Sequence, residues 1–161
     1  MPYTHCQRCH RELKNAHARE IGYGKVCAAK QRAADEATTG EDYADLYIDQ
    51  PMTSGIILRR QPDGRLATNV PHLVTHHSPT GYEWGYGGSG PADLALNILE
   101  NALHILQYRG SKSEMWRGEC FSLASRLHQN FKWEFIAPAP RGGGDHIIPW
   151  ETVTSWINAR R

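Results

Sequence analysis

The chain has 161 residues, 40% apolar and 22% charged, enough for one ordinary domain or a small domain plus a medium one, and this balance excludes global disorder. No apolar run approaches the ~20 residues of a membrane span, so no membrane partner is expected. The formal net charge of +1 points to no polyanion by itself, but it is unevenly spread: residues 1–35 carry seven Lys/Arg against three acids, and residues 36–52 carry five acids and no base.

The opening residues, Met1-Pro2-Tyr3-Thr4-His5-Cys6, show no basic-then-apolar leader, so a cytoplasmic setting with reduced thiols is expected. The four cysteines then read as metal ligands or core residues, not disulfides. Cys6 and Cys9 form C-x-x-C, a spacing that lets two thiolates turn toward one ion. Cys27 follows Gly22-Tyr23-Gly24 and stands at the start of a strong helix former, CAAKQRAADEA. A knuckle followed by a cysteine in the first turn of a helix is the arrangement of treble-clef and ribbon zinc modules. Zinc takes four thiolate or imidazole ligands in a tetrahedron. Cys120 lies far off in an apolar helical pattern and reads as a core residue. The fourth ligand is therefore sought among His17, His10 and His5, with His17 preferred because it lies between the knuckle and Cys27. The segment has few apolar residues, chiefly Leu13, Ile21 and Val26. So small a core does not hold a fold unaided, and metal binding supplies the missing folding energy. Redox catalysis by Cys6 and Cys9 ranks well below, because no thioredoxin-like strand–helix context surrounds them.

This head resembles a small zinc-ribbon-like domain of unknown function common in phage and actinobacterial proteins, with the pattern CxxCGRxL, a spacer, then GxGPxC and a Lys-bearing helix. Cys6, Cys9, Arg11, Leu13, Gly22, Gly24, Cys27 and Lys30 fall near that pattern. His10 replaces the usual glycine and Lys25 the usual proline. The resemblance implies metal binding by the three cysteines and leaves the fourth ligand open.

Three parts are expected: a zinc-binding head over residues 1–36, an acidic linker over 37–53, and an α+β domain over 54–161. In the last, GIILRR and the residues after Pro62-Asp63-Gly64 predict a hairpin, with Pro71 confining its second half to an edge strand or two short pieces. GYEW, residues 81–84, reads as a short strand. Pro91 then opens a helix with Asp93 in its first turn and an apolar face through Leu94, Ile98, Ala102 and Ile105, stopped at Gly110. A second helix is expected over about 113–129, with Met115, Cys120, Leu123, Ala124 and Leu127 inward. FKWEFIAP alternates as a half-buried strand does, and Pro149 opens a terminal helix with Val153, Trp156 and Ile157. The expected fold class is α+β: a zinc-binding head, then a small antiparallel sheet packed with two or three helices.

Gly85, Gly87 and Gly90 give G-x-G-x-x-G ahead of the first of these helices. The dinucleotide fingerprint is incomplete, since no second parallel strand ending in an acid follows. No Gly-Lys-Ser/Thr follows either, and Pro91 stands where a nucleophile elbow needs glycine. What survives is an anion-binding loop at Gly87, Gly88, Ser89 and Gly90, against the alternative of a tight turn with Trp84 and Tyr86 in the core. His76 and His77 would point to opposite faces of a strand, so one of them joins any given site. His77, Glu83 and Ser89 form no complete catalytic constellation.

HHSPTGYEWGYGGSGPADLALNIL, with the later FKWEF block and the closing PWETVTSWI, is similar to a second uncharacterised family, seen in phages, plasmids and haloarchaea. The match implies a fold grouping and a mobile-element origin and brings no established activity to carry over. The leading expectation is a binding module for nucleic acid, with Zn2+ as cofactor and Arg8, Arg11, Lys14, Arg19, Lys25 and Lys30 as its positive face. An adaptor or inhibitor on a host protein comes second, anchored by whichever of Trp116, Trp133, Trp150 and Trp156 are exposed. An enzyme acting on a phosphate or nucleotide comes last. No small-molecule cofactor is expected, and the setting is the host cytoplasm if a phage encodes the chain.

Overall fold

Ile56 and Leu58 are buried while Ile57 and Arg59 are partly exposed, the alternation of a strand with one face on a core. They belong to β1 (Ile56–Arg60), which pairs antiparallel with β2 (Leu66–Thr68), Leu58 opposite Thr68. The turn between them uses Gly64 at φ +88, and Asp63 accepts the Arg65 N–H at 3.0 Å. On its other side β1 pairs antiparallel with a strand not anticipated from sequence, β5 (His146–Ile148), Ile56 opposite Ile148. The computed structural model describes residues 2–36, 47–79, 81–142 and 144–161. Most of the expected acidic linker, residues 37–46, lies outside them.

Helix α3 (Ser89–Ile105) is buried from Gly90 through Leu103, so it is enclosed on all sides. Its apolar residues Leu94, Leu96, Ile98, Leu99 and Leu103 fill the core of the larger part of the chain. The helix ends where Gln107 turns to φ +55, before the expected stop at Gly110.

Three expectations are corrected downstream. Residues 112–121 are not helix: β3 (Lys112–Glu114) and β4 (Glu119–Phe121) form a hairpin around Gly118, which takes φ +89. The expected inward residues Leu123, Ala124 and Leu127 belong to the shorter helix α4 (Ser122–Phe131). FKWEFIAP is not a strand: α4 continues as a π-helical turn, Lys132–Ile136, which buries Phe131 and Ile136 and turns Trp133 outward. GYEW is irregular, with Trp84 buried and Tyr86 exposed. The terminal helix α5 (Trp150–Asn158) starts after Pro149 as expected and buries Val153, Trp156 and Ile157.

The N-terminal part has its own small core of Cys6, Leu13 and Ala18, with Tyr23 and Cys27 against it. Asn15 caps helix α1 (Ala16–Ile21) by accepting the Ala18 N–H at 2.6 Å. Gly22, at φ +79, ends that helix and leads to α2 (Lys25–Glu36). The fold is α+β, with five α-helices, a three-stranded sheet and a two-stranded one among the described residues. No helix among them is long and apolar enough to cross a membrane.

Candidate metal centre and the polar cluster beside it

Cys6 and Cys9 sit on a knuckle that folds back on itself: the His10 N–H donates to the Cys6 carbonyl at 2.9 Å, with His10 itself at φ +58. Cys27 arrives from the first turn of α2. The three thiol sulfurs lie within 4.8 Å of one another. In a tetrahedral thiolate site with metal–sulfur bonds of ~2.3 Å the sulfurs stand about 3.8 Å apart, so a small adjustment admits a metal ion. Burial pushes the Cys6 thiol up, but the N–H groups of Cys9, Gly24 and Arg8 favour its thiolate and bring it down to about 7. Burial and the neighbouring sulfurs of Cys9 and Cys6 push Cys27 up to about 11. Thiols this close together give up their protons on taking up a cation.

His17 lies exposed in α1, and neither it, His10 nor His5 stands with the three sulfurs. His10 turns instead toward the larger part of the chain, its ring centroid 6.4 Å from that of His76. Of the expected positive face, Arg11, Lys14, Arg19 and Lys25 are exposed. Arg8 is buried, and two of its nitrogens, Nε and Nη2, have no hydrogen-bond partner among the described residues. Lys30 crosses to the glycine loop, where its ammonium donates to Ser89 Oγ at 2.5 Å.

A polar ladder on α3 positions the residues around that loop. The Asp93 carboxylate accepts the N–H groups of His76, His77 and Ser78, the last at 2.8 Å. One turn on, Asn97 Oδ1 accepts from the N–H groups of Leu73 and Val74, and its amide donates to the Val74 carbonyl. A further turn on, Asn101 donates to the Pro71 carbonyl at 2.9 Å. Residues 71–78 therefore follow α3 without being a strand. That is why His76 and His77 do not diverge: their rings meet edge-on at 4.6 Å.

His77 Nε2 lies 2.9 Å from His128 Nε2, and His128 Nδ1 lies 2.6 Å from the Ser125 carbonyl. A carbonyl only accepts, so His128 carries its proton on Nδ1 and His77 donates to it from Nε2. Burial, then the charges of His128, His76, Lys132 and Arg8, holds His77 down at about 3. Burial raises Asp93 to about 6, against the pull of its three N–H donors and Arg8. Glu83 does not join His77 or Ser89; its carboxylate accepts from Arg60 at 2.7 Å and from the Trp84 N–H.

The loop itself is built for close approach. A Cβ on Gly87 would stand 2.1 Å from the Trp133 ring, and one on Gly88 would stand 2.2 Å from the Tyr86 ring. Gly88 is the N-cap of α3, and no side chain caps the helix start. Lys132 is buried beside it and reaches the Gly87 carbonyl at 3.4 Å. Sequence reasoning gave neither Lys132 nor His128 a place beside the loop: Lys132 stands out only as part of the FKWEF block, His128 carries no motif, and both lie far from the loop in the chain.

Two family models match. Residues 1–32, with all three clustered cysteines, match a family of unknown function (DUF6011). Residues 50–112, with the ladder and the glycine loop, match a second family of unknown function (DUF6166). No curated protein and no solved structure matches the chain.

Proposed function

We propose that Cys6, Cys9 and Cys27 hold a zinc ion, with water or a partner's atom in the fourth position, and that the protein is a nucleic-acid-binding accessory protein of a phage or other mobile element. The observation that carries this is the three-sulfur cluster set in a part of the chain whose own core is Cys6, Leu13 and Ala18. A core that small does not offset the entropy of ordering the segment, so the metal is its main source of stability. Thiolates select zinc over hard cations such as magnesium. The exposed cations Arg11, Lys14, Arg19 and Lys25 lie on the same small unit and favour a polyanion over a neutral protein face.

Metal analysis of the purified protein should give one zinc per chain, lost in Cys6→Ser and Cys27→Ser. Binding to a single-stranded oligonucleotide should weaken linearly with log salt, with a slope of about −3 for four neutralised phosphates. Replacing Lys14 and Lys25 by Gln should reduce that slope by about 1.4. Protein without zinc, or binding indifferent to salt, would remove the corresponding half of the reading.

A further inference from the structure

Arg8 is 4% exposed and Lys132 6%, and neither forms an ion pair among the described residues. Desolvated cations are ordinarily matched by an anion, because removing them from water is costly otherwise. These two arrive from distant parts of the chain, one on the cysteine knuckle, whose His10 ring stands 6.4 Å from that of His76, and one on the π-helical turn, whose ammonium reaches the Gly87 carbonyl at 3.4 Å; the charges of both bear on the His77 ring. Lys30 brings a third cation to the same place through Ser89, and its ammonium is depressed by burial and by Arg8. Lys30 at Ser89 and Lys132 at Gly87 flank the start of α3, which has no side-chain cap.

We propose that Arg8, Lys30, Lys132 and the uncapped start of α3 bind the terminal phosphate of a nucleotide or of a nucleic-acid strand. The charge favours a phosphomonoester over a diester. Arg8, Lys30, Lys132 and Arg141, which stands 5.1 Å from the Tyr86 ring centroid, face Asp93 and the single net negative charge of a zinc ion on three thiolates, since the Glu83 charge is met by Arg60 at 2.7 Å. The remaining two positive charges match the near-dianion of a phosphomonoester at neutral pH. The neighbouring rings supply a place for the base. Trp133 is 61% exposed and lies over Gly87, Tyr86 is 43% exposed and lies over Gly88, and the Lys132 ammonium stands 4.4 Å from the Trp133 ring centroid. Exposed aromatic faces beside a basic groove are the usual platform for a stacked base.

The inference rests on the zinc reading through Arg8 and Lys30, which the cysteine knuckle and the helix that carries Cys27 hold in place. Calorimetric titration of the full zinc-loaded chain tests it with four probes: adenosine monophosphate, a 5′-phosphorylated tetranucleotide, the same tetranucleotide with a 5′-hydroxyl, and inorganic phosphate. The 5′-phosphate is expected to strengthen tetranucleotide binding at least tenfold, and the nucleotide to bind more tightly than inorganic phosphate. Preference for the mononucleotide or for the strand identifies the source. Lys132→Met and Arg8→Gln should each weaken phosphate-bearing probes at least tenfold while the zinc content stays unchanged. Trp133→Ala should lower nucleotide affinity and leave inorganic phosphate binding as it was. Lys132→Met removes a buried charge and should melt no lower than the parent, which separates lost binding from lost folding. Equal affinity for the 5′-hydroxyl and 5′-phosphate strands, no binding of any phosphate probe, or unchanged binding in both cation variants would overturn the proposal. Protein that holds zinc yet binds no phosphate defeats this inference alone; protein that binds phosphate without zinc defeats the zinc reading alone.

Discussion

His77 and Asp93 are neighbours that titrate in opposite senses. Burial, with nearby positive charge, holds the His77 ring at about 3, far below the ordinary 6.5. The unfolded chain therefore takes up a proton as pH falls through 6.5, and the folded chain does not until about 3, so this group removes stability across that window. His76 and His128 are also depressed, chiefly by burial, and act in the same direction. Asp93 opposes them: its folded carboxyl protonates at about 6, against 3.8 when free, so it restores stability as pH falls from 6 to 4. Three rings outweigh one carboxyl, so urea midpoints should fall between pH 7 and pH 5. Each histidine contributes at most ~1.4 kcal/mol per pH unit. His128→Gln should show a visibly shallower pH slope than the parent. Loss of zinc in acid is common to both proteins and drops out of the comparison, so equal slopes would refute the assignment.

At the scale of single elements, α3 contrasts what local sequence encodes with what it does not. Pro91 in its first turn and its apolar turns were legible because they are local signals, as were the Asp63-Gly64 hairpin and the Pro149 helix start. The ladder was not legible: Asp93 read as an acid in the first turn of the helix, and Asn97 and Asn101 carry no signal until residues 71–78 are placed against them. FKWEF misled for a related reason. Phe131, Trp133 and Phe135 alternate like a strand, but α4 feeds directly into them and the backbone stays helical, with Phe131 and Ile136 inward. The three cysteines were legible from spacing alone, whereas Lys132 needed the fold to bring it to Gly87. The ladder carries its own prediction. Asn97→Leu strands the N–H groups of Leu73 and Val74 in the interior and should cost about 3 kcal/mol in urea unfolding. Asn101→Leu strands the carbonyls of Pro71 and Asn97, each with a second lone pair to satisfy elsewhere, and should cost about half as much.

Across the whole molecule, the cysteine-bearing unit and the larger core meet at a few polar points, notably Lys30 with Ser89 and His10 with His76. If zinc holds the knuckle in shape, chelation should loosen that junction before it reaches the sheet. Hydrogen exchange should accelerate in residues 4–30 and at the first turn of α3 after chelator treatment, while β1 stays protected; uniform acceleration would count against this order of events. The outward turn of Trp133 has a practical corollary. Trp84 and Trp156 are 1% and 6% exposed, so a soluble collisional quencher such as acrylamide reaches Trp133 far more readily than either. Its indole also lies against an ammonium group, and indole emission shifts with local charge. With the half-buried Trp116 and Trp150 replaced by phenylalanine, the protein carries an intrinsic optical reporter at the rim of its glycine loop, and occupancy there can be followed by light without attaching a dye.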